Sequence, residues 1–235
     1  ARHVTAFAAY VKSRWGKPLP VGETLGSLLS EMVNAKEVYK KIVGMQLLVE
    51  GLAMGTFATF FNTARDPLLV KLCQLAMTDE AFHHKFGKIW ADRTIPHINE
   101  DERNQIEDWA WHVFEVLLYN LGSPEQKKHI YAAVGLDWEW VQGAFMEALT
   151  DVHIRESMQE TTNIFRVLIK TLLKAGIITS RTAGNYAAFI DMKELYAEGD
   201  RMIGDDIAEE GIKYLLQLNG QGTRSYSLDK MTAAE

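Results

Sequence analysis

The 235-residue chain is expected to be all-α, a helical bundle with additional helices at its N- and C-terminal ends. Three observations lead there. Apolar residues recur at helical spacing over long runs without proline, of which residues 23 to 63 is the longest. No segment alternates apolar and polar residues as a half-buried strand would. Helix start and stop signals fall between the periodic runs, at Asp66-Pro67, at Asn99 to Glu102 and at Gly176.

The bulk numbers fit one compact domain with a large core, since 47% of residues are hydrophobic and 24% charged. The expected division is an N-terminal packing arm over 1–22, a bundle over 23–176, a helical extension over 177–220 and a polar tail over 221–235. A net charge of −6 and a pI near 5.7 leave no basic footprint for nucleic acid. The single cysteine, Cys73, excludes an intramolecular disulfide framework and cysteine-cluster metal sites, so histidines and carboxylates are the available metal ligands. No stretch of about 18 residues is free of charge, because Glu50 interrupts the apolar run from Met45 to Phe61, and no membrane span is expected. With no signal-peptide pattern, the expected location is cytoplasmic.

In chain order, Ala6 to Val11 reads as a short helix ending before Pro18 and Pro20. The run from Glu23 to Thr63 reads as one helix of roughly forty residues or two nearly collinear ones, about 1.5 Å per residue. Val43, Leu47, Glu50, Met54 and Phe57 share its stripe. Asp66-Pro67, an N-cap carboxylate before a proline at the first helical position, opens a second helix that should reach about Trp90. Its inward face is Leu69, Leu72, Cys73, Ala76, Glu80, His83, Gly87 and Trp90. Asn99 to Glu102 forms a capping-box start for a third helix to about Gly122, with Trp111, Glu115 and Leu118 on one face. After a short helix from Ser123, helical patterning resumes at Asp137 and continues to Ala175, with Gly176 as C-terminal cap. Ser180 starts a further helix.

The chemistry concentrates in Asp79-Glu80-Ala81-Phe82-His83. Positions three apart lie on one helical face, so Glu80 and His83 reach one point. Glu50, thirty residues upstream on another apolar helix, is at the separation an antiparallel hairpin requires. A four-helix bundle holding two metals takes one carboxylate from each of two helices and a Glu-x-x-His pair from each of the others. Glu50, Glu80 with His83, and Glu115 fit that order, and His153 supplies the last histidine, although Thr150 stands where its glutamate belongs. Glu156, one turn after His153, is the preferred replacement, ahead of Glu147 and Glu160. Three carboxylates turned into one apolar core would repel each other and take up protons unless a cation neutralised them. The donor set suits iron or manganese rather than structural zinc. Asp79 and Asp108 are candidates for orienting ligand imidazoles, and His84 points about 100° away from His83.

The segment Asp79-Glu80-Ala81-Phe82-His83-His84-Lys85-Phe86-Gly87 resembles the helix-two signature of the ferritin-like di-metal carboxylate proteins, closest to the ribonucleotide-reductase-small-subunit-like oxidases and bacterial di-iron oxygenases. The resemblance spans about Glu23 to Ala175. It implies a ferritin-like four-helix bundle with an Fe/Fe or Mn/Fe centre that activates O₂, held by Glu50, Glu80, His83 and Glu115, and by His153. Gly87 stands where reductase small subunits carry their radical tyrosine, which excludes a stored tyrosyl radical there and leaves space for a substrate.

The function expected on these grounds is a di-iron or Mn/Fe oxidoreductase acting on a small apolar substrate. Met54, Phe57 and Leu118 would line its pocket. No flavin or nicotinamide motif is present, so electrons would come from an external electron-transfer protein, and a homodimer is expected from the resemblance. The alternative is a ferritin-like protein that oxidises and stores iron without an organic substrate. A third reading, prompted by Thr150, is a helical scaffold that has lost part of its site.

Overall fold

The structure is a computed structural model that describes residues 2–17, 20–148, 156, 163–199, 201 and 204–218. The described residues are all-helical, with no strand. The helices are α1 (Arg2–Trp15), α2 (Glu23–Asn34), α3 (Val38–Thr63), α4 (Pro67–Thr94), α5 (Glu100–Gly122), α6 (Lys128–Ala133), α7 (Trp138–Ala148), α8 (Ile164–Lys174), α9 (Ala183–Ala187), α10 (Met192–Ala197) and α11 (Asp205–Leu218).

The long run from Glu23 resolves into two helices, because the backbone at Ala35 leaves helical geometry (ψ 139°) and α3 begins at Val38. Within α3, Ile42–Val49 is wound as a π-helix before α-geometry resumes at Glu50. The α3–α4 turn is fixed by Asp66. Its Oδ1 accepts from the Leu68 backbone N–H at 2.9 Å, while Oδ2 takes the Tyr10 hydroxyl at 2.9 Å and Arg14 at 2.7 Å. One carboxylate thus caps α4 and fastens α1. Asn99 and Glu102 form the expected reciprocal capping box at the start of α5. Gly176 adopts φ +69° and closes α8, its N–H reaching Leu173 and that of Ile177 reaching Leu172.

α3 and α4 pack as an antiparallel hairpin: a Cβ at Gly87 would touch Leu47, and His83 lies beside Glu50. α8 lies along another face of α3, where Gly51 and Gly55, one turn apart, let Leu168 and Ile164 approach to 3.3 Å of where a Cβ would stand. α5 meets the π-helical segment, and Trp109 Nε1 donates to the Lys40 carbonyl at 3.1 Å. α11 covers the outer face of α4. By length and composition Val38–Thr63 could cross a membrane; in this fold α4, α5 and α8 pack against it.

The main core gathers Met32, Val43, Leu47, Leu48, Phe114, Leu117, Leu168, Ile169, Leu172, Tyr186 and Leu195. A smaller cluster of Met54, Ala58, Met77, Ala81 and Ala208, flanked by Phe57, Phe82 and Ile207, fills the other end of the hairpin. Phe7 of α1 stacks on Phe57 with ring centroids 5.2 Å apart. The fourth long helical run expected from Asp137 to Ala175 is described as α7 and α8, with Thr150, His153 and Glu160 outside the described residues. So is the polar tail over 221–235.

Candidate metal centre

The π-helical winding ends at the residue that matters most for the hairpin. The Glu50 N–H bonds the carbonyl five residues back, at Met45, so its side chain leaves α3 at the seam with α4. There it meets Glu80 and His83, which α4 presents from adjacent turns as their spacing predicts. Glu50, Glu80 and His83 each offer a donor atom within 4.8 Å of the others. His83 Nδ1 lies 2.9 Å from Glu80 Oε2 and 3.5 Å from Glu50 Oε1. The polar group lies on the hairpin between the core around Leu47 and the cluster around Met54 and Met77.

The two carboxyls are unequal. Burial, and then the hydrogen bond and charge of Glu80, push Glu50 up to about 9. Burial also pushes Glu80 upward, but hydrogen bonds from Glu50 and His83 and the neighbouring imidazoles outweigh it and hold Glu80 below its ordinary value. Without another cation, Glu50 therefore keeps its proton and donates it to ionised Glu80. A divalent ion among these three donors would take the place of that proton, since two carboxylates turned to one partly dry point need positive charge between them.

A further imidazole reaches the group. His3 of α1 places Nδ1 2.6 Å from Glu80 Oε1 and Nε2 2.9 Å from Asp79 Oδ2, which Arg2 also contacts at 2.7 Å. The sequence reading gives residues 1–22 only a packing role and assigns His3 none. Its signal is nonetheless present, because His3, Phe7, Tyr10 and Arg14 recur at helical spacing and each contacts α3, α4 or their connecting turn.

Among the described residues, two other expected ligands, Glu115 and Glu156, are not brought to this point. Glu115 is exposed, because α5 turns Ile106, Ala110, Val113, Phe114 and Leu117 inward and leaves Glu115 on the outer flank. The carboxylate that α5 does bury is Glu107, 2% exposed, bound by Arg181 Nε at 2.9 Å and by the Thr182 hydroxyl at 3.3 Å. Glu156 is exposed and outside the group, and His153 lies outside the described residues. Asp108 pairs with Arg181 at 2.7 Å rather than orienting an imidazole. Asp79 does hold one, that of His3. His84 turns away as expected and hydrogen-bonds Thr171 Oγ1 of α8 at 3.1 Å, and burial pushes its pKa down to about 4. Met54 and Phe57 stand in the apolar cluster beyond Glu50, whereas Leu118 packs on the main core.

Comparison with family models, curated proteins and solved structures finds no match.

Proposed function

We propose that the chain is a ferritin-like metalloprotein that holds iron, or iron and manganese, at Glu50, Glu80 and His83 and uses it for O₂-dependent oxidation of an organic substrate. The observation that carries this reading is the convergence of two carboxylates and an imidazole from antiparallel helices, their donor atoms within 4.8 Å of one another. The donor types favour iron or manganese, and the bound metal would supply the O₂ chemistry. The chain's own residues do the rest. Glu50 gives up a proton on metal binding, Glu80 offers two oxygens, and Met54, Met77, Phe57 and Phe82 exclude water from one side. The apolar substrate, the external electron donor and a homodimeric assembly belong to the same proposal.

The test is anaerobic loading with Fe(II) followed by a measured pulse of O₂. The wild type should bind iron and consume O₂, and Glu80→Ala should lose both while keeping its helical circular dichroism. Absence of bound metal after separate loading with Fe(II) and with Mn(II) would reject the metal reading. Accumulation of many irons per chain in a closed oligomeric cage would favour iron storage over substrate oxidation.

A further inference from the structure

The two oxygens of Glu80 face different imidazoles. Oε2 is 2.9 Å from His83 Nδ1, on the side of Glu50, and Oε1 is 2.6 Å from His3 Nδ1, on the side of α1. Two donors at right angles around one ion at about 2.1 Å stand about 3 Å apart. Each of these pairs is thus spaced as neighbouring ligands of one cation would be, and one carboxylate belongs to both.

His3 is also oriented as metal-bound histidines are. Its Nε2 is held by the Asp79 carboxylate at 2.9 Å, which directs Nδ1 toward Glu80. His3 Nδ1 and Glu80 Oε1 thus face each other at 2.6 Å. Arg2, at 2.7 Å from Asp79, is largely exposed and reaches the orienting carboxylate rather than the gap.

We infer that Glu80 bridges two cation positions, one shared with His83 and Glu50 and a second shared with His3, which Asp79 orients. This rests on the metal reading above and relocates half of the centre. The second histidine comes from α1, the helix expected only to pack. Metal then fastens α1 to the hairpin at Glu80, while the Asp66 contacts to Tyr10 and Arg14 fasten its other end. The N-terminal helix becomes a strap over the site whose grip depends on the second ion.

The test is Mn(II) binding to the full chain, read by metal analysis and electron paramagnetic resonance, with hydrogen–deuterium exchange of residues 2–15. The wild type should bind two Mn(II) with an exchange-coupled spectrum. His3→Ala should bind one, with an uncoupled six-line spectrum, and Asp79→Asn should weaken the second ion about 10- to 100-fold. His97→Ala, an exposed histidine outside the group, should match the wild type. Mn(II) should slow exchange in residues 2–15 of the wild type but not of His3→Ala. One bound ion in the wild type, or two coupled ions in His3→Ala, would overturn this inference and leave the metal reading standing. No bound ion in the wild type would overturn both. If the variants do not fold, exchange in residues 2–15 of the wild type unchanged by Mn(II) would overturn the strap.

Discussion

A Cβ built on Gly87 would stand 2.8 Å from Leu47 Cδ2 and 3.1 Å from Gln46 Cβ. The missing side chain is therefore the room in which α3 closes on α4 one turn beyond His83, not a substrate space. Leu47 is fully buried. Gly87→Ala should destabilise the protein by about 1–3 kcal/mol through overpacking, read as a lower urea midpoint with an unchanged slope. An unchanged midpoint would mean that the hairpin relaxes freely there.

Glu50 provides a pH signature of the metal-free protein. Its folded pKa, about 9, exceeds that of the unfolded chain, so the unfolded state releases a proton that the folded state retains. The contribution is fully present below the unfolded carboxyl value, near 4.5, and is lost as pH rises toward about 9. Glu50→Gln keeps a neutral donor to Glu80. Its metal-free form should melt above the wild type at pH 8, with the gap closing toward pH 4.5. Each kcal/mol corresponds to roughly 2–4 °C in a chain of this size. A constant gap from pH 4.5 to 8 would rule out Glu50 as the titrating group.

Ligand assignment can be checked without knowing the substrate. Glu115→Gln and Glu156→Gln should leave bound iron or manganese unchanged, since both side chains are exposed and outside the cluster. Glu80→Gln should lose it. Metal content that falls equally in all three would restore the four-helix ligand set read from the spacing of Glu50, Glu80, Glu115 and His153.

Arg181 secures the carboxylate that α5 buries. Glu107 Oε2 accepts from Arg181 and Thr182, while its other oxygen, Oε1, is buried without a hydrogen-bond partner. Arg181→Ala should cost roughly 1–3 kcal/mol by leaving that charge poorly paired. Adding Glu107→Gln should recover most of the loss in a double-mutant cycle. Additive losses would show that the pair does not act as a unit.

The helical fold was legible where local chemistry decides it. Asp66-Pro67, the Asn99–Glu102 box and Gly176 act within one turn of themselves, and each appears as read. The Glu80–His83 pair and its meeting with Glu50 followed from the i, i+3 rule and one short turn. What failed needed information from elsewhere in the chain. The helical phase of α5 is ambiguous in isolation, because Trp111 and Leu118 suggest one face and Ile106, Val113, Phe114 and Leu117 another. The second face won by burying more apolar surface, and it took Glu107 inward with it. His3 was missed because a lone histidine on a short amphipathic helix is silent until the helix docks, and its partner lies more than seventy residues away.

The π-helical segment carries a last consequence. Its wider winding over Ile42–Val49 takes up about one residue more than an α-helix of the same rise, and one residue corresponds to about 100° of rotation. Glu50 is the first residue beyond it, so its aim toward Glu80 is set by the number of residues upstream as much as by their kind. Apolar substitutions of similar size within that run preserve the count, whereas removing one residue would swing Glu50 away from the seam. The number of residues in this segment is thus as much a part of the site as the side chains that fill it.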